Sequence, residues 1–189
     1  MSFTVTDFIK EAQSGARPSL FAVYIQWPQG VPTLGANARA PFLVKATNIP
    51  GMTLGKIEVP FMGRKINIAG ERTFDDWGTT VINDAQYLVR SRLEAWNDAI
   101  NGVRSNRPSL FTTALGYRTS ASIVQLDQSG VPVRTYKMEN IWPMTIAPID
   151  LSWETTDSIE EYEVTWSYDY FTAVGPFGAV GSDLGTSIR

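Results

Sequence analysis

The chain lacks both cysteine and histidine, and these two absences exclude more functions than any residue present suggests. Zinc fingers, blue copper sites, iron–sulfur clusters, cysteine nucleophiles and histidine-based triads each need one or the other. No disulfide can form, which fits assembly in a cytosolic compartment without requiring it. Charge is also scarce: 19% of the 189 residues are charged, and 16 Lys and Arg against 19 Asp and Glu leave a net charge of −3 at pH 7. That balance provides no global attraction for phosphates, so sequence-specific nucleic-acid binding is not expected. The first fifteen residues carry Asp7 and Glu11 where a signal peptide would be basic, and they have no long apolar core. No run of about 18 apolar residues occurs, so no membrane-spanning helix is expected. GxGxxG, GxxxxGK[ST] and internal repeats are also missing, and nucleotide-binding doubly wound folds have no support.

What remains is a 43% hydrophobic chain with six Trp, seven Tyr and nine Phe, long enough for one sizeable core. Thr6 precedes a capped turn or short helix ending near Gly15. Leu20 to Trp27 has apolar residues on both parities and predicts a strand buried on both faces. A loop follows over 28–41, then a short strand over 42–47. Residues 53–69 predict a long hairpin bent at Met62 and Gly63. Ile57, Val59, Ile66 and Ile68 alternate with Lys56, Glu58, Lys65 and Asn67, so the ribbon has one apolar and one polar face. A strand over 76–82 leads to the one convincing helix, 84–101, with Asn83 as cap and Gly102 after its end. Ala85, Val89, Leu93, Trp96 and Ile100 form its apolar stripe. Strands are then predicted over 119–126, 133–139, 144–153 and 159–172, with a turn at 127–130. The last alternates most regularly: Tyr162, Val164, Trp166, Tyr168 and Tyr170 on one parity, Glu161, Glu163, Thr165, Ser167 and Asp169 on the other. Residues 175–189 read as a glycine-rich, mobile tail, which leaves a single β domain over 1–174. The fold class is mainly β: an antiparallel two-sheet sandwich or barrel with one flanking helix and a long hairpin arm.

Few residues suggest chemistry. Asp75 with Asp76 and Glu160 with Glu161 are carboxylate pairs of the kind glycosidases use, but adjacent strand residues point to opposite faces. Asp150, Glu154 and Asp157 match no calcium-loop spacing. Trp27, Trp142 and Trp153, near strand ends, are the candidate sugar-stacking platforms. No catalytic residue, metal or cofactor is predicted. The hairpin stands out, because an arm of this length with an apolar face favours cover by a neighbouring chain.

Four segments, in this order, carry a family resemblance: Ser14 to Phe21 after the N-terminal helix; Pro60 to Ile66 leading to Gly70 to Trp77; Asn83-Asp84 opening a helix that ends Ala95 to Asn101; and Val164 to Tyr170. Together they resemble the tail tube proteins of contractile-tailed bacteriophages, related to the tubes of type VI secretion systems. The resemblance implies a structural virion protein whose six-fold rings, joined by a continuous inner β-barrel, stack into a tube within a contractile sheath. It implies assembly in the host bacterial cytoplasm and partners that include further copies of itself, the tail sheath, baseplate and tail-terminator proteins, the tape-measure protein, and genomic dsDNA passing through the lumen without sequence preference. In that setting Glu161, Glu163, Thr165, Ser167 and Asp169 are the expected lumen-facing residues. The hairpin residues Lys56, Ile57, Glu58, Val59, Phe61, Met62, Arg64, Lys65, Ile66 and Ile68 are the expected contacts between subunits. Alternatives are a specialised baseplate or tube-end ring, a tube subunit of another contractile injection system, a carbohydrate-binding β-sandwich and a carboxylate-pair glycosidase.

Overall fold

The computed structural model describes residues 4–6, 8–9, 15–31, 40–41, 43–108, 113–175 and 178–180. Among the described residues ten strands are formed: β1 Phe21–Ile25, β2 Val44–Thr47, β3 Met52–Phe61, β4 Arg64–Phe74, β5 Trp77–Ile82, β6 Thr119–Leu126, β7 Pro132–Ile146, β8 Glu161–Ser167, β9 Tyr170–Gly175 and β10 Gly178–Val180. Helix α1 spans Leu88–Ile100 and a single helical turn, α2, spans Ala114–Tyr117. All the strand pairings are antiparallel. The main sheet runs β1-β6-β7-β8-β5-β2, with β9 and β10 branching from β7, while β3 and β4 form a separate two-stranded ribbon.

Strand β7 joins two layers. Its first half pairs with β6 and β9, from Thr135↔Val174 to Glu139↔Tyr170 on the β9 side. Its second half pairs with β8, from Trp142↔Ser167 to Ile146↔Val164. The sequence predicted two strands here, 133–139 and 144–153, the second beginning after Pro143, whereas one strand runs to Ile146 and residues 147–153 lie outside it. The chain turns a corner at Asn140, whose φ is 60°, and continues through Pro143. Proline is tolerated there because β6 reaches only as far as Ile141 and the ladder with β8 shifts register just after it. Asp169 locks the corner: its carboxylate accepts from Asn140 Nδ2 at 2.8 Å and from Arg118 at 3.0 Å, while its N–H donates to Glu139 O.

The core lies between the layers, around a row of tryptophans. Trp27 and Trp96 ring centroids are 5.8 Å apart, Trp96 and Trp166 5.9 Å, and Trp166 stacks on Trp77 at 5.9 Å. The three fully buried indoles each donate: Trp166 to Thr79 Oγ1, Trp77 to Thr47 Oγ1 and Trp96 to the Tyr117 carbonyl. The half-buried Trp27 is the exception, its N–H facing no acceptor among the described residues, and pairing the other three donors limits the cost of so aromatic a core.

Helix α1 covers this row with Val89, Leu93, Trp96 and Ala99. It begins later than the sequence suggested. The chain makes a turn first, with Tyr87 in the left-handed region (φ 55°) and Asp84 Oδ1 accepting from Leu88 N. Asn83 is not the cap, since its side chain goes to Glu160, and Ala85 is exposed outside the stripe. Asn101 leaves the helix in an extended conformation rather than through a left-handed glycine. Three further expectations change. In β1 only Val23 is fully buried and Tyr24 is exposed, so one face meets solvent. The stretch 159–172 bends at Tyr168 and Asp169 into two strands. Residues 178–180, expected in the tail, pair back on β9. The rest of that tail, most of the 28–41 loop and most of the N-terminal helix lie outside the described residues.

Because Trp96 is fully buried at the centre of the row, Trp96→Ala is expected to destabilise the subunit by about 3–5 kcal/mol in denaturant unfolding. A loss below about 1 kcal/mol would show that the row does not organise the core.

Candidate functional site

The arm formed by β3 and β4 closes through Met62 and Gly63, with φ of 46° and 80°. Positive φ at both central residues is the hairpin geometry that matches strand twist; Gly63 adopts it freely and Met62 at a cost of about 1 kcal/mol. Ile57 faces Ile68 and Val59 faces Ile66, with Phe61 opposite Arg64 on the same side. On the other side Glu58 bridges Lys56 at 2.6 Å and Lys65 at 3.0 Å, and these two ammonium groups hold its carboxyl below the usual range. The expected division into an apolar and a charged face is therefore present in the ribbon.

Nearer the base, Gly55 lies opposite Gly70 and Glu71, a β-bulge. A Cβ on either glycine would lie 3.2 Å from backbone across the ribbon, so a side chain at either position would crowd the opposite strand. Below the bulge Phe74 returns to the core, 6.0 Å from Tyr168 and 5.5 Å from Phe171. Beyond it none of the described residues covers the arm. Ile57, Val59, Phe61, Ile66 and Ile68 are all exposed, and Met62 at the tip is 91% accessible.

A second surface is the outward side of β8 and β5. Tyr162, Val164, Trp166 and Tyr168 are buried, whereas Glu161 and Glu163 are exposed and Thr165 and Ser167 half-buried. Register places Ile82 beside Glu161, Thr80 beside Glu163 and Gly78 beside Thr165. Glu161 pairs with Lys45 of β2 at 2.5 Å, a partner that sequence reasoning missed, because β2 joins this face only through β5. Glu163 faces no cation among the described residues. Asp169 does not continue the run, being held in the bend by Arg118 and Asn140.

The other candidates disperse. Glu160 accepts from Asn83 Nδ2 at 2.7 Å and Tyr87 OH at 2.9 Å, while its neighbour Glu161 goes to Lys45. Glu160 and Glu161 therefore do not act as an acid pair. Among the described residues no group of three or more His, Cys, Asp or Glu could hold a metal ion. Trp27 packs on Trp96 and under the Arg92 guanidinium at 4.3 Å, and Trp142 packs on Tyr117. Only Trp153 of the three stacking candidates is fully exposed. Arg92 itself was not foreseen as core: burial pushes it down to about 10, which leaves it charged at neutral pH.

A family profile described as phage tail tube protein matches residues 16–174. The chain belongs to the phage tail tube protein family. Tail tube protein gp19 of Enterobacteria phage T4 is 34% identical over 174 residues, covering 88% of this chain and 98% of that one. Among solved structures, a chain of the anti-feeding prophage baseplate superposes with a TM-score of 0.61 at 13% identity, covering 86% of this chain and 97% of the other. A chain of the sheath–tube complex of an extracellular contractile injection system gives 0.58 at 12% identity, covering 92% and 99%. At such identities these two likenesses are of fold. Within this tail tube chain the arm and the β8 face thus sit on a scaffold common to tube and baseplate proteins.

The hydrogen bonds from Asn83 and Tyr87 hold the Glu160 carboxyl below its ordinary value of 4.5 and raise Tyr87. Stability from this cluster is present above about pH 4.5 and falls as acid protonates the folded-state carboxylate. Glu160→Gln is expected to flatten the acid limb of a Tm-against-pH curve. An unchanged limb would show that Glu160 does not tie α1 to β8.

Proposed function

We propose that this chain is a structural subunit of a contractile phage tail, forming six-fold rings that stack into the inner tube through which DNA is ejected, and that it has no catalytic role. The observation that carries this reading is the arm: five apolar side chains on one face of an antiparallel ribbon, exposed and uncovered by any described residue of their own subunit, in a member of the tail tube family. Covering half-exposed side chains of this kind contributes roughly 1 kcal/mol each before association costs. Five such contacts give about 5 kcal/mol per arm, which lateral strand pairing supplements against the cost of association.

The Lys56–Glu58–Lys65 face of the arm stays solvated or meets a polar neighbour, while Ile57, Val59, Phe61, Met62, Ile66 and Ile68 pack on the next subunit, with Arg64 at the rim. The open edges of β1 and β2 supply lateral strand pairing, which turns an aggregation hazard into ring closure and builds the inner barrel. We assign Glu161, Glu163, Thr165 and Ser167 to the lumen, with Asp169 at its margin. Lys45 offsets Glu161, so the wall owes its negative sign mainly to Glu163. Small polar groups with a modest anionic excess let dsDNA and the tape-measure protein pass without sticking. The sheath–tube and baseplate settings of the structural neighbours support a sheath around the tube and baseplate and terminator proteins at its ends. The relatives' tail tube role supports a place in the virion, assembled in the host cytoplasm.

Electron microscopy of the purified protein should show hollow tubes or stacked six-fold rings, and a uniformly monomeric field would overturn the reading. Replacing Phe61 to Arg64 by a short glycine-containing turn should leave a folded subunit that no longer stacks. Glu161→Lys with Glu163→Lys should assemble yet slow DNA ejection, most strongly at low salt, where phosphate contacts are least screened. Unchanged ejection kinetics at low salt would remove this face from the lumen.

A further inference from the structure

One exposed surface is not used by the arm or by the β8 face. Segment 147–160, between β7 and β8, contains no cation. It exposes Leu151 (77%), Trp153 (102%) and Ile159 (69%) together with Asp150, Glu154 and Asp157. Arg90, in the first turn of α1, donates to Ala147 O at 3.1 Å and so ties the start of this segment to the N-terminal end of the helix.

At the opposite end of α1, segment 102–108 exposes Val103, Arg104 and Arg107. It is preorganised: Gly102 N donates to Arg107 O at 2.8 Å, Asn106 N to Gly102 O at 2.8 Å, and Asn101 Nδ2 to Asn106 Oδ1 at 2.6 Å. Neither arginine has an ion-pair partner among the described residues. The 13 residues of α1 hold the two segments about 20 Å apart. An apolar surface with carboxylates and an apolar surface with guanidinium groups therefore stand at opposite ends of one rigid element, where one subunit cannot satisfy both.

We propose that segments 147–160 and 102–108 are the two halves of one head-to-tail contact between copies of this chain, an inference that rests on the tube reading. Trp153 packs against Val103 and the arginine stems, and Asp150, Glu154 and Asp157 neutralise Arg104 and Arg107. A fully exposed tryptophan beside complementary charge is the usual make-up of an interface anchor. A contact between two different surfaces of one chain propagates in a single direction, as rings and stacked tubes require. The sign pattern also rejects the wrong pairing, because two acidic or two basic segments brought together repel.

Two charge-reversed chains test this. One carries Asp150→Lys, Glu154→Lys and Asp157→Lys; the other carries Arg104→Glu and Arg107→Glu. Each alone should stay unassembled under conditions where the wild-type chain assembles, while retaining its Tm and near-ultraviolet circular dichroism. Mixed in equal amounts they should assemble again, since each presents the charge the other lacks. The absence of native cysteine allows a second measurement: Ser152→Cys with Ser105→Cys in one chain should give a ladder of covalent oligomers on oxidation, and either single variant at most a dimer. Assembly of both reversed chains at the wild-type rate, failure of the mixture, or the absence of a ladder overturns the contact. Reversed chains that assemble normally but lose only sheath binding would assign the surface to the sheath and likewise overturn it. A wild-type chain that never assembles overturns the tube reading itself, which separates the two failures.

Discussion

A two-stranded antiparallel ribbon that leaves both faces to water is at best marginally stable, and the arm from Met52 to Phe74 is such a ribbon for most of its length. The Glu58 ion cluster is exposed and contributes little. What holds the arm in one direction is its base, where Phe74 is set among Tyr168 and Phe171, below the β-bulge at Gly55 and Gly70. An element anchored at one end and apolar along one side needs cover from outside its own subunit. The proposed rings and stacks supply that cover.

Such an arm requires a rigid mount. The mount is supplied by the tryptophan row under α1 and by the β7 corner, where one strand takes part in both layers and Asp169 fixes the angle between its halves. The same arrangement sets the polarity of β8. With Tyr162, Val164 and Trp166 committed to the core, Glu161, Glu163 and Thr165 must face outward. The two surfaces therefore depend on one core, and a core defect would disturb arm and sheet face together.

Much of this was legible in the sequence because it is written locally. The hairpin turn, the alternation of Ile57 and Val59 with Lys56 and Glu58, the parity of Glu161 to Trp166 and the Val89–Leu93–Trp96 stripe each follow from spacing over a few residues. The misses share a different cause. Pro143 looks like a strand terminator until one knows that β7 has no neighbour there on its other side. Lys45 becomes the partner of Glu161 only when β5 is placed between their strands. Arg92 lies in the core with its guanidinium over the Trp27 ring, and Asn83 is drawn from capping the helix by Glu160, far away in the chain. These are tertiary contacts, and no local period encodes them.

The central claim is that a neighbouring subunit covers the apolar face of the arm, and hydrogen exchange of the arm's own amides tests it most directly. In the dispersed subunit the ribbon opens readily, so the amides of Ile57, Val59, Ile66 and Ile68 should exchange far faster than those of Val81 and Val164 in the core sheet. In assembled tubes they should slow by at least about a hundredfold, since covering the face adds several kcal/mol to the cost of opening. Equal exchange at these four positions in the dispersed and assembled forms would contradict the account.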